Sequence, residues 1–499
     1  MFTSLTFHGG IHEIGGNKFL VEDKGTRIFL DFGMQMGKVN QYFAEFTQPR
    51  ILSGMGDLFE FDLLPKIKGI YRKDYSKHME YGNHDQETSI DGVLLTHAHV
   101  DYCAYIHHLR PDIPIYCTEA SKSIMQGFQD MGGGEQYITY KENFKIYDNT
   151  KGGKSRANND KNREEIKRDI RIISDSKKFK IDSIEVEPVA IDHSLPGVCG
   201  FIIHTSSGTI GYTADIRFHG RRPQESQNFV DKCGKNDIDY LLCEGTRINN
   251  TKPSITEFKV ETDVQEMISD AEQLVICTYP IRDLDRFLSF YNAVKSTDCQ
   301  MVINTKQAYL LKLFKESSTN SNLFPSPTDS NIKVYVSRKK WGLLTKDADY
   351  WTEEVQLADY NNWERLFLDY PNYIDYKEVS ENQKKYVFYC SDFELKELID
   401  IKPKEHSRYI RSSTEPFNEE MALDHERVKR WLVHFKLLTK GKDWKTEHVS
   451  GHGTADQIKK IIDGANSKKI IPIHTENESM FDSLHNNVQK VKIHETIQM

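Results

Sequence analysis

Short apolar runs that end on a carboxylate or an imidazole recur along this chain. Arg27-Ile28-Phe29-Leu30 gives way to Asp31-Phe32-Gly33, and Leu94-Leu95 to Thr96-His97-Ala98-His99-Val100-Asp101-Tyr102. Val189-Ala190-Ile191 runs into Asp192-His193-Ser194, the stretch Thr209 to Ala214 into Asp215, and Tyr240-Leu241-Leu242-Cys243 into Glu244. Near the C-terminus Ile470-Ile471-Pro472-Ile473 is followed by His474-Thr475-Glu476, and His448-Val449-Ser450-Gly451-His452-Gly453 comes shortly before it. Continuous apolar runs of this length, separated by helical patterns, predict buried strands of an α/β protein. In open α/β sheets, sites are built at strand ends.

The pattern predicts a split organisation. Residues 1–249 alternate short strands with helical segments, interrupted by a polar insertion from about Gly132 to Asn162 whose Gly132-Gly133-Gly134 lacks the Lys-Ser/Thr of a phosphate-binding loop. Residues 250–441 repeat an α/β pattern, with strands expected at Gln273–Cys277 and Met301–Ile303 and a Ser/Asn/Pro-rich loop from Glu316 to Asn331. Residues 442–499 return to imidazole-bearing segments.

A chain of 499 residues with 38% hydrophobic content can bury two cores, and no run approaches the roughly 20 apolar residues of a membrane helix. The N-terminus lacks the basic region and apolar core of a signal peptide, and the eight cysteines show no zinc-ligand or disulfide-framework spacing. Cys103, Cys117, Cys199, Cys243 and Cys277 lie in apolar runs and read as reduced core residues, so a cytoplasmic protein is expected. A net charge of −8 argues against coating nucleic acid through bulk electrostatics. Local basic stretches remain as contact points: Lys151 to Arg171 (including residues 132–171 more widely), Arg338-Lys339-Lys340 beside Trp341, and Arg408 to Arg411.

In an extended segment, residues i, i+2 and i+4 share a side, so His97, His99 and Asp101 can converge from one loop as metal ligands. Neutral imidazole and anionic carboxylate suit zinc, which lowers the pKa of bound water toward about 7 and neutralises charge on a phosphate. Such chemistry fits phosphodiester hydrolysis.

Taken in order, these residues resemble the motifs of the metallo-β-lactamase superfamily and, within it, the β-CASP nucleases. The resemblance takes in Gly9-Gly10-Ile11-His12-Glu13-Ile14-Gly15-Gly16-Asn17 at the start. Asp31 matches the first motif, His97/His99/Asp101 the second, His193 the third, Asp215 in Thr213-Ala214-Asp215-Ile216-Arg217 the fourth, and Glu244, His452 and His474 the β-CASP motifs A, B and C. It implies an αββα sandwich with an inserted β-CASP α/β domain, and a substrate groove between the two. It implies one metal held by His97, His99, His193 and Asp215, and a second held by Asp101, Asp215 and His474. Asp31 would orient a ligand or the water, His452 would protonate the leaving oxygen, Glu244 would hold that imidazole, and His448 and Ser450 would touch substrate phosphate.

Tyr102 departs from the family, whose second motif carries a metal-binding His there; a phenol of pKa near 10 is a poor zinc ligand. The expectation is one or two Zn2+ per chain, with Mn2+ as the alternative occupant of a weakened second site. His474 at motif C favours RNA over DNA, so the implied function is a metal-dependent ribonuclease, endo- and/or 5′–3′ exonucleolytic, acting on single-stranded RNA. A DNA-directed β-CASP nuclease and a catalytically weakened RNA-binding protein are the alternatives. A small-molecule hydrolase would need no insertion of roughly 190 residues or Ser-Gly-His segment. A homodimer is the family-level expectation, and the extra C-terminal domain of bacterial ribonuclease J is expected to be absent.

Overall fold

A computed structural model describes residues 2–44, 46–50, 53–76, 88–132, 134, 136–142, 146–156, 163–342, 357–416, 419–439, 444 and 446–499. The turn residue Gly133, the basic residue Lys161 and the expected return point at 441–442 lie outside these.

Two sheets face each other. One runs Ile170–Ile172, Ile115–Cys117, Gly92–Leu94, Thr26–Leu30, Phe19–Asp23, Ser4–Phe7 and Thr496–Gln498 in spatial order. The other runs Phe179–Ile181, Ile184–Ala190, Cys199–His204, Thr209–Tyr212, Tyr240–Glu244 and Lys469–Ile473. Alternation along the strands sorts their side chains: Phe19, Val21, Ile28 and Leu30 point into the gap, where they meet Phe201, Ile203, Leu242 and Ile471 in one buried cluster. The opposite faces meet helices. Leu20, Phe29 and Val93 share a core with helix Glu119–Asp130, while Leu241 and Ile470 lie under helices Pro223–Lys235 and Ala455–Ala465. The result is the αββα sandwich expected from the sequence.

A third sheet, ordered Tyr373–Ile374, Ile332–Tyr335, Gln300–Asn304, Tyr386–Tyr389, Val275–Thr278 and Arg408–Arg411, is parallel throughout. Its strands are buried on both sides, as crossover helices require, and helices Leu284–Lys295 and Thr305–Glu316 follow the two strands expected here. The stretch 316–331 has turns but no strand. Within 132–171, the described residues form two small antiparallel ladders, Thr139–Lys141 with Glu165–Lys167 and Ile146–Asp148 with Lys154–Arg156. All eight cysteines are unpaired, and seven are buried. Among the described residues no helix is long and apolar enough to cross a membrane.

Strand direction positions the site. Thr209–Tyr212, Tyr240–Glu244 and Lys469–Ile473 are parallel neighbours, so their carboxyl ends deliver Asp215, Glu244 and His474 to one edge. The carboxyl end of Gly92–Leu94 brings the His97 loop to meet them.

Candidate metal centre

Three ring nitrogens converge at that edge. His97 Nε2 and His193 Nε2 lie 3.0 Å and 3.1 Å from His99 Nδ1. Asp215 Oδ2 stands 3.7 Å from His97 Nε2 and 3.6 Å from His193 Nε2. The four ligand atoms lie within 4.8 Å of one another, and His97, His193 and Asp215 are buried. Burial pushes the His99 imidazole down to about 4 and holds His97 and His193 well below their ordinary value, which keeps these rings neutral. Neutral imidazoles with an adjacent carboxylate are a donor set that fits zinc.

Surrounding bonds fix which nitrogen is bare. His193 Nδ1 faces the Gly451 carbonyl at 2.6 Å; a carbonyl only accepts, so the proton sits on Nδ1 and Nε2 is left with its lone pair. A Cβ on Gly451 would stand 2.5 Å from the His193 ring, so this approach requires glycine. His97 Nδ1 is 3.0 Å from Thr96 Oγ1, whose single hydroxyl proton goes to Asp31 at 3.1 Å. Asp31 also accepts from the Thr96 N–H at 2.8 Å and the Tyr212 hydroxyl at 2.6 Å. Burial pushes the Asp31 carboxyl up to about 8, although these donors pull the other way. Asp31 thus acts on His97 through Thr96.

Alternation along the second motif stops at His99. His99 is extended (φ −74°, ψ 150°), but Val100–Cys103 is helical, so the side-chain period changes before Asp101. Asp101 consequently meets His474 Nε2 at 3.1 Å and does not join the four clustered ligand atoms. His474 Nδ1 faces Thr246 Oγ1 at 2.8 Å. Tyr102 is buried in the core and donates its hydroxyl to Asp215 Oδ1. Asp31, Ala214 and His474 all hold positive φ (57°, 48° and 51°), a conformation costly for non-glycine residues.

A second group of ligand-type atoms consists of Asp215, Glu244, His452 and His474. Within it, His452 Nδ1 lies 3.2 Å from Glu244 Oε1, and Glu244 also accepts the N–H groups of Ile216 and Thr246, each at 3.1 Å. Burial alone would raise Glu244; the neighbouring His452 brings its carboxyl net below the ordinary value. Ser450 Oγ accepts from the His452 N–H at 3.2 Å. Neither ring nitrogen of His448 has a hydrogen-bond partner among the described residues, and burial pushes that imidazole down to about 3.

Several supporting residues carry no assigned role in the sequence alone. Buried Arg217 donates to the carbonyls of His193 at 2.9 Å and Ser450 at 3.1 Å, and His219 Nε2 donates to the Ser450 carbonyl at 3.0 Å. Arg286, fully buried on helix Leu284–Lys295, pairs with Glu257 at 2.9 Å and donates to Val449 O at 3.2 Å. Both arginines stand among other charged residues, Asp215, Arg221 and Arg222 around one and Arg282, Asp283 and Asp285 around the other, so nothing in the sequence marks them as buried. The basic stretches are largely occupied locally: Arg168 is buried against the His107 and Leu109 carbonyls, Arg171 pairs with Asp169, Arg338 with Asp400, Lys339 with Glu364, and Arg411 with Asp392. Arg408 donates to the Asp270 carbonyl at 2.9 Å.

Two packed sheets between helices, with imidazoles and carboxylates at the strand ends and a parallel α/β unit beside them, define the metallo-β-lactamase class. Residues 72–274 match a family model described as a beta-lactamase superfamily domain, and residues 445–489 one described as a Zn-dependent metallo-hydrolase RNA specificity domain. The chain is 24% identical to ribonuclease J of Mycolicibacterium smegmatis over 297 residues, covering 58% of this chain and 42% of that protein. It is 22% identical to ribonuclease J of Pyrococcus abyssi over 495 residues, covering 94% and 88%. A crystal structure of a protein of unknown function from Enterococcus faecalis V583 shares the fold, with a TM-score of 0.72 at 20% identity and full coverage of both chains. These likenesses support a metallo-β-lactamase protein of the ribonuclease J-like, β-CASP kind. It spans 42% of the length of the M. smegmatis relative and most of the P. abyssi one.

Proposed function

We propose that this protein is a metal-dependent ribonuclease that hydrolyses phosphodiester bonds of single-stranded RNA. The observation that carries the reading is the convergence of His97 Nε2, His99 Nδ1, His193 Nε2 and Asp215 Oδ2 beside the His452–Glu244 pair. A zinc ion held by those four atoms would supply an acidified water and charge neutralisation at the scissile phosphate. Glu244 accepts from His452 Nδ1 and so holds the ring; in its doubly protonated form the Nε2–H would pass its proton to the leaving oxygen while Nδ1–H stays on Glu244. Asp31 steers His97 through Thr96, while Asp101 pairs with His474. His448, with both ring nitrogens unpartnered, and Ser450 are the substrate-phosphate contacts.

RNA, rather than DNA, is favoured by His474 and by the likeness of 445–489 to an RNA specificity domain. We place the boundaries of the inserted unit at 250 and 441. Arg282, from that unit, donates to the Ala98 carbonyl at 3.0 Å, which supports a substrate groove between the two units. Endo- and 5′–3′ exonucleolytic action, a homodimer and a cytoplasmic location belong to the same reading; the unpaired cysteines support the last.

The test is cleavage of matched 5′-labelled single-stranded RNA and DNA by purified protein with added Zn2+ or Mn2+, beside His97→Ala. RNA-selective cleavage lost in the variant is expected, with product lengths separating endo from 5′-exo action. DNA-selective cleavage would make it a DNA-directed nuclease; binding of RNA without cleavage would make it a binding protein.

A further inference from the structure

We propose that this chain holds one metal ion, at His97, His99, His193 and Asp215, and that the Tyr102 hydroxyl and the bonds around His474 replace a second. The inference rests on the metal-dependent reading above and deepens it.

Counting protons separates the two clusters. In the first, His97 Nδ1 and His193 Nδ1 spend their protons on Thr96 Oγ1 and the Gly451 carbonyl, so both Nε2 atoms are bare. Both face His99 Nδ1, at 3.0 Å and 3.1 Å, and one proton there could satisfy only one of them. Asp215 Oδ2, at 3.6–3.7 Å from two of these nitrogens, brings a carboxylate oxygen to the same point. Buried lone pairs aimed at a common point are costly unless a cation sits among them.

In the second cluster the carboxylates and His474 are already engaged. Asp101 accepts from His474 Nε2 at 3.1 Å, so that nitrogen offers no lone pair, and Nδ1 faces Thr246 Oγ1 at 2.8 Å. Asp215 Oδ1 is capped by Tyr102, and Glu244 is filled by His452 and two backbone N–H groups. The Tyr102 ring is fully buried, with centroids 4.2 Å from His97 and 5.4 Å from His474, so its hydroxyl cannot swing aside. A second ion does not fit this arrangement.

The deciding measurement is the zinc-to-protein ratio of the full chain after reconstitution with excess Zn2+ and desalting, by native mass spectrometry and elemental analysis. The expected ratios are one for the unaltered chain, near zero for His97→Ala and two for Tyr102→His, where an imidazole replaces the capping phenol. Two ions in the unaltered chain, or one in a folded Tyr102→His, overturns the single-ion assignment and leaves the proposed function standing. No ion in the unaltered chain overturns both, and the function first. Should Tyr102→His not fold by circular dichroism, the ratio in the unaltered chain decides alone.

Discussion

Thr96 has one hydroxyl proton and two neighbours that compete for it. Both Asp31 oxygens lie 3.1 Å from the hydroxyl and accept from the Thr96 N–H and the Tyr212 hydroxyl as well, so the Thr96 proton goes there and His97 Nδ1 supplies its own to the hydroxyl oxygen. Valine at this position keeps the shape and removes both bonds, leaving His97 free to place its proton on the wrong nitrogen. Outer partners of ligating imidazoles typically change metal affinity about 10–100-fold. Thr96→Val is therefore expected to weaken zinc affinity by about that factor in a chelator competition, with circular dichroism unchanged; unaltered affinity would mean that packing alone orients His97. At this scale the sequence was informative about ligands and silent about what orients them. His97, His99, His193 and Asp215 are chemically conspicuous and sit at strand ends. Thr96, in the loop after strand Gly92–Leu94, and Tyr212, at the end of strand Thr209–Tyr212, are ordinary residues, and Gly451 meets His193 across more than 250 positions of chain.

Helix Leu284–Lys295 shows what an element contributes beyond its own stability. Asp283 caps it by accepting from the Arg286 N–H at 2.9 Å, and its inner face sends the Arg286 guanidinium to Glu257, Ser412 and the carbonyls of Glu447 and Val449. The loop that carries His448 and His452 is therefore anchored from the third-sheet unit as well as from Arg217. Removing one member of a buried ion pair costs about 3–5 kcal/mol because the other is left charged and alone. Arg286→Met should lower the denaturation free energy by roughly that amount, and Arg286→Met with Glu257→Gln should recover part of it in the same urea titration. Failure of the double variant to recover would place the loss in the Val449 and Glu447 contacts instead of the pair. Element types were legible where apolar runs were long, as in strands Thr26–Leu30, Tyr240–Glu244 and Lys469–Ile473 that feed the site. The ladders inside 132–171 were not, since strands of three residues give too few positions for a period of two to show. The turn of Val100–Cys103 was hidden for the same reason, and it redirected Asp101.

Many of the imidazoles are buried, and that sets the molecule's response to acid. Burial pushes His8, His99 and His219 down to about 4 and His107 and His448 to about 3, with His97, His108 and His193 also held low. In the unfolded chain each returns to an ordinary value near 6.5. Between about pH 4 and 6.5 the unfolded chain therefore binds protons that the folded one refuses, and folded-state stability falls as pH falls through that window. Buried carboxyls act in the opposite sense. Asp31 at about 8, Asp283 and Glu225 at about 7, and Asp215, also raised, keep protons that the unfolded chain has shed above about pH 4. His474, raised by Asp215 and Asp101 against its burial, adds to that side. The depressed imidazoles outnumber these groups, so the net sign is loss of stability on acidification, about 1.4 kcal/mol per pH unit for each net proton. The urea midpoint of chelator-treated protein should accordingly be lower at pH 5 than at pH 7. An equal or higher midpoint at pH 5 would show that the carboxyls dominate and that the imidazoles of the metal-free chain are better hydrated than their burial implies.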